Sequence, residues 1–221
     1  MTLPVITLIG RVRSLLQDTD SSAERWSNQD LLDCFNEAQL AVVQNRPDTY
    51  SQVMSFTCTD KARQTVPPEA YRLMDVIDNE STGRAVTKTT RASLDSFISN
   101  WSTTQGTQVE QFIYDEKSPG VFYVYPVPPA NHTINLLISR TPALVSIAQF
   151  ASPATTMELD TVWLNPVINY MMYRAYMMDG ETEQNQQQAH GYLKMFANDL
   201  QLKWNVDLAF RQPQQGGTAN G

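Results

Sequence analysis

Hydrophobic positions open the chain at helical spacing. Val5, Leu8, Ile9, Val12, Leu15 and Leu16 recur three and four apart within residues 3–17, which predicts a first helix with one apolar face. Residues 18–25 are polar and turn-like. Ser27 then precedes Asn28, Gln29 and Asp30, the signature of an N-cap with an acid in the first turn. Behind it Leu31, Leu32, Phe35, Ala38 and Val42 predict a second amphipathic helix that ends before Pro47.

The middle of the chain changes period. Residues 53–59 and 71–77 are rich in strand formers, residues 84–90 form a weaker third candidate, and residues 92–98 suggest a short helical turn. Two further strands are predicted over residues 108–114 and 121–125. Between them lies Asp115-Glu116-Lys117-Ser118-Pro119-Gly120, which has the chemistry of a hairpin loop. Residues 133–140 alternate and give a last strand, and Pro126, Pro128, Pro129 and Pro142 bound these strands.

Helical spacing returns near residue 159. Val162, Val167, Ile168, Met171, Ala175 and Met178 form a stripe, with Pro166 as a kink or the true start. Asp179-Gly180 is a stop signal. A last helix opens on acidic and polar residues and carries Ala189, Leu193, Phe196, Leu200 and Trp204 on its apolar face. The expected class is α+β: residues 1–48 and 158–210 form a helical bundle, and residues 50–142 form an inserted antiparallel β-sheet. Residues 143–157 are expected to connect them, and residues 211–221 to form a flexible tail by composition.

A chain of 221 residues with 42% hydrophobic content is large enough to bury a core without disulfides or metals. Its two cysteines, Cys34 and Cys58, fall in a helical and an alternating pattern and are expected reduced, in or near the core. No secretion signal and no membrane-spanning run is expected. The net charge of -7 argues against a sequence-reading nucleic-acid binder, which carries a basic face.

Candidate chemistry is sparse. His132 and His190 are the two histidines, and neither has metal-ligand neighbours at a useful spacing. No phosphate-cradling loop, nucleophile elbow or C-x-x-C is present. Acid pairs such as Asp115/Glu116 and Asp75/Asp78 read as solvated turns. Phe112, Tyr114, Phe122, Tyr123 and Tyr125 cluster around the hairpin, where Lys117 is the one basic residue; cross-strand packing explains them better than base stacking. No catalytic, cofactor or metal residue is expected, and the chain reads as a structural subunit rather than an enzyme.

Four stretches then resemble a known family. They are Trp26-Ser27-Asn28-Gln29-Asp30-Leu31-Leu32-Asp33-Cys34-Phe35-Asn36-Glu37-Ala38-Gln39, continuing through residues 42–48; Val66-Pro67-Pro68-Glu69-Ala70-Tyr71-Arg72-Leu73, continuing to Asn79; the hairpin from Tyr114 to Pro126; and Tyr173-Arg174-Ala175-Tyr176-Met177-Met178-Asp179-Gly180-Glu181. In order and spacing they resemble the head-to-tail adaptor (connector) proteins of tailed bacteriophages, over roughly residues 26–200. The family pattern carries a charged residue or arginine soon after the hairpin proline, where this chain has Gly120.

The resemblance implies a ring of self-associated copies, typically twelve, docked beneath the portal protein. It would join the portal to the tail, nozzle or tail tube, and genomic DNA would pass through its channel without sequence-specific binding. It implies a virion component made in the host cytoplasm, with a C-terminal segment that engages the portal. Trp101, set among Ser99, Asn100 and Ser102, is the tryptophan expected at an interface. Tyr114, Asp115, Glu116 and Lys117 of the hairpin, and Phe210, Arg211 and Pro213 near the C-terminus, complete the interface candidates. The alternatives are a tail terminator or collar subunit, a helical assembly factor outside the virion, and a cell-wall hydrolase.

Overall fold

The computed structural model describes residues 3–201. Chain contacts divide it into two units: one holds the residues up to Arg46 and those from Pro142 on, the other holds Pro47–Thr141.

The first unit is helical. Helix α1 (Val5–Leu16) buries Val5, Leu8, Ile9, Val12 and Leu16, while Leu15 is 50% exposed, one position off the apolar stripe. Its first free N–H, on Val5, donates to Thr155 O at 2.9 Å, so the helix start is satisfied from elsewhere in the unit. Helix α2 (Asn28–Asn45) begins at the predicted cap: Ser27 Oγ accepts from Asp30 N, and Asp30 Oδ2 accepts from Ser27 N at 2.9 Å. Leu31, Leu32, Phe35, Ala38 and Val42 are all buried.

Helix α5 (Leu164–Met178) follows a 3-10 turn at Thr161–Trp163, and α6 (Glu183–Asp199) is capped by Thr182. Ahead of α5, a four-residue helix, α4 (Ile147–Phe150), lies in the stretch 143–157 expected to be a loop. Pro166 sits in the first turn of α5, where a missing N–H is no loss, so it marks the start and makes no kink. The expected stripe is narrower than its spacing suggests. Val167, Ile168, Met171 and Ala175 are buried, but Val162 is 69% and Met178 49% exposed. Val162 belongs to the 3-10 turn, before the helical period begins. Helix α5 packs against α1, α2 and α6, and Tyr170 meets Phe196 edge-on at 5.1 Å.

The second unit contains two four-stranded sheets where one was expected. The strands are β1 (Ser51–Thr57), β2 (Arg63–Thr65), β3 (Ala70–Asn79), β4 (Arg84–Ala85), β5 (Thr87–Lys88), β6 (Gln111–Ile113), β7 (Val121–Tyr125) and β8 (Thr133–Arg140), with a short helix α3 (Arg91–Phe97) between β5 and β6. The first sheet runs β1-β8-β3-β4 and is antiparallel; the second runs β2-β7-β6-β5, with β5 parallel to β6. The weak strand expected over residues 84–90 is thus two strands in different sheets. Val86, 7% exposed, lies at the crossing point.

Strand β8 alternates as predicted, with Ile134, Leu136 and Ile138 inward. Strand β3 does not. Three register shifts against β8 leave Leu73, Val76 and Asn79 buried, a spacing of three that alternation alone would never produce. The inward faces of both sheets share one core, which includes Leu73, Val76, Phe112, Phe122, Val124 and Leu136. On the far side of the second sheet, Leu94 of α3 joins Ala62, Trp101, Ile113 and Val127 in a smaller cluster.

Candidate assembly surface

The hairpin tip is ordered by its own acid. Asp115 Oδ1 accepts from Lys117 N and Asp115 O accepts from Ser118 N, each at 2.9 Å, which turns the chain in a few residues. Gly120 O accepts from Val66 N at 3.0 Å, and a Cβ at Gly120 would meet nothing, so the glycine is not there for want of space. Asp115, Glu116 and Lys117 are all exposed. Tyr114 is 8% exposed and belongs to the core between the sheets; burial pushes its phenol above the ordinary tyrosine value.

Glu116 reaches across to strand β3 and pairs with Arg72. With side chains 35% and 65% exposed, the pair is screened by water and contributes little to stability, about 0–1 kcal/mol. Its effect is positional. Arg72, Tyr114 and Glu116 line a cleft of about 230 Å³ together with Pro47, Asp48, Leu73, Met74 and Lys88. Its lining is mixed: Pro47, Leu73, Met74 and Tyr114 are apolar or aromatic, and Asp48, Glu116, Arg72 and Lys88 supply two acids and two bases. A space this small lies below the usual range of roughly 300–1,000 Å³ for small-molecule sites.

Trp101 is not presented at the surface. It is 7% exposed, its ring meets Tyr123 edge-on at 5.9 Å, and its Nε1 donates to Asp95 Oδ1 at 2.7 Å. Its polar sequence neighbours belong to a turn that carries the ring into the smaller cluster. The exposed aromatic is Phe97, 85% exposed at the C-terminal end of α3. The sequence places both residues in the same polar stretch and gives no sign of which is buried. Helix α3 turns Leu94 inward, and Phe97, its last residue, stays exposed.

The remaining sequence candidates separate. Phe210, Arg211 and Pro213, like Trp204 and the tail 211–221, lie outside the described residues. His132 and His190 are half-buried. His132 Nε2 stands 2.7 Å from Asn79 Oδ1, and burial holds its imidazole below the ordinary value. Cys34 and Cys58 are free and buried as expected, and burial pushes each thiol up to about 12. Among the described residues no cluster of three or more His, Cys, Asp or Glu is placed to hold a metal ion, and no helix is long and apolar enough to cross a membrane.

Comparison with curated proteins returns no match. Comparison with protein families does: the model of the SU10 adaptor protein matches residues 3–217. That span covers both helical ends, both sheets and the hairpin with its cleft. On that match the chain belongs to the SU10 adaptor protein family of phage head-tail adaptors, structural components of the virion.

Proposed function

We propose that this adaptor assembles as a closed ring of about twelve copies between the portal protein and the tail, leaving a channel for the genome, and that it catalyses no reaction. The observation that carries this is the family match over nearly the whole chain. The surface is consistent with it. A ring is built from head-to-tail contacts, so each copy needs two different patches, and a stable contact buries about 1,200–2,000 Å² in total. The hairpin tip, with Asp115, Glu116 and Lys117 exposed, is one patch free to meet a neighbour or a partner.

Charge supports the channel. Each copy adds -7, and a ring of like copies concentrates that field. An acidic wall repels phosphates and lets DNA pass without sticking, the reverse of the attraction that basic faces exert. The C-terminal residues Phe210, Arg211 and Pro213 are proposed to dock on the portal.

Cryo-electron microscopy of the purified chain mixed with its portal tests the assembly. The expected image is a ring stacked coaxially on the portal with a continuous channel. Single copies scattered on the portal, or a channel lined mainly by Lys and Arg, would overturn it. Deleting residues 209–221 tests the dock: DNA-filled heads should then lack the adaptor.

A further inference from the structure

We propose that Phe97 of one copy inserts into the cleft between the two sheets of the next copy, and that this knob and hole form the ring's repeating contact. The inference rests on the ring assembly proposed above and supplies its interface.

Three observations converge on the pairing. Phe97 is 85% exposed, more than any other large hydrophobic side chain among the described residues. Phe is among the aromatic side chains enriched at the cores of protein contacts. The cleft of about 230 Å³ is too small for a typical cofactor, yet a cavity of roughly 150 Å³ already takes a benzene ring. Its lining includes the apolar or aromatic Pro47, Leu73, Met74 and Tyr114.

The third observation is placement. The cleft draws Leu73 and Met74 from β3 in the first sheet, and Lys88 and the hairpin residues from the second. It therefore opens between the sheets. Phe97 ends α3, whose Leu94 packs in the cluster on the outer face of the second sheet. Knob and hole thus lie on different layers of one unit, and Phe97 does not fill its own cleft. A hydrophobic knob that fits a pocket elsewhere on an identical molecule makes a head-to-tail contact, which closes into a ring if the rotation allows.

Charge at the rim agrees. Helix α3 carries Arg91 and Asp95, 80% and 51% exposed, and the cleft lining includes Arg72, Lys88, Asp48 and Glu116. Both faces present both signs, so the helix can seat without a like-charge field opposing it.

Crosslinking tests the pairing directly. Chains carrying Phe97→Cys and chains carrying Met74→Cys are mixed, assembled on the portal and treated with a short bismaleimide. The native Cys34 and Cys58 are buried with raised thiols and stay silent. The expected result is a dimer band from the mixture and none from either chain alone. Phe97→Asp should cut ring yield at least tenfold and still melt where wild type melts, and Phe97→Trp should retain rings.

Wild-type rings with no mixed crosslink and full assembly by Phe97→Asp would overturn the knob and hole and leave the ring standing. A crosslink from Phe97→Cys to the portal in place of a second copy would also overturn it. If wild type forms no ring with its portal, the ring itself fails and the contact with it.

Discussion

Asn79 and Val109 are joined in both directions: Asn79 Oδ1 accepts from Val109 N and Asn79 Nδ2 donates to Val109 O, each at 2.8 Å. The amide imitates a strand neighbour. It ties the end of β3 in the first sheet to the segment that leads into β6 in the second. Nδ2 also donates to Arg84 O at 2.9 Å. Both Asn79 and Val109 are fully buried, so the groups they exchange have no water as a substitute.

Asn79→Ala strands the buried amide and carbonyl of Val109 and removes a partner from Arg84 O. Each unsatisfied buried group costs about 1–3 kcal/mol, and the expected loss is about 3 kcal/mol, read as a lower urea midpoint. His132 offers a second reading of the same site. Burial holds its imidazole below 6.5, so its neutral form contributes stability above that pH, lost as pH falls through the lower folded value. An NMR titration of the ring should show a midpoint below 6.5 in wild type. An unshifted His132, or an Asn79→Ala protein as stable as wild type, would contradict this picture.

Asp18 is a buried hub in the helical unit. It accepts from Arg13 Nη1 at 2.6 Å and from the backbone amides of Arg25 and Trp26 at 2.8 and 3.4 Å, with side chains 11% and 5% exposed for Arg13 and Asp18. Breaking a buried pair from one side costs about 3–5 kcal/mol. Arg13 keeps Trp26 O and Asn28 as acceptors, which places Asp18→Ala near the lower end. Asp18→Asn, which keeps an acceptor, should lose less. Arg13→Lys should resemble a loss, because an ammonium cannot span the same set of partners. Thermal melts of the three variants decide the order.

The two thiols predict an alkaline limit. Folded Cys34 and Cys58 titrate near 12 against an ordinary 9.0. Because the folded value is raised, their contribution is complete below about pH 9 and is lost as pH rises toward 12. Stability measured by denaturant should therefore fall across that window. At pH 8 the native protein should resist a thiol reagent that labels both cysteines once it is unfolded; rapid labelling of the native protein would refute the burial.

Gly106 leaves no room for a side chain. A Cβ there would stand 2.6 and 2.8 Å from the ring carbons of Pro126, and Gly106 N is held to Val127 O at 3.0 Å. Neither the proline ring nor the bonded backbone yields freely. Gly106→Ala should cost about 1–3 kcal/mol through overpacking, while Gly120→Ala, with nothing nearby, should sit close to wild type. Paired denaturation curves separate the two glycines.

Much of the local structure was legible before any coordinates. The spacing of Leu31, Phe35, Ala38 and Val42 marks α2, Ser27 with Asp30 marks its cap, and residues 115–120 mark the hairpin loop. Residues 18–25 read as a plain polar turn, however, and one of their three acids, Asp18, is buried. An acid flanked by other polar residues carries no local sign that an arginine five positions earlier will enclose it. The cleft was equally hidden, since its walls come from β3, β5 and the hairpin, segments far apart in the chain.

The sequence by itself determined the order of helices, strands and helices, the Ser27 cap, the hairpin turn and the stretches that identify the family. These depend on neighbours within a few positions, where hydrophobic period and turn chemistry act. Tertiary structure alone decided that residues 84–90 divide between two sheets, that β3 buries every third residue, and that Trp101 goes inside while Phe97 stays out. Those outcomes turn on which strand edges are open and which layer lies above a side chain, and both are set by partners distant in sequence.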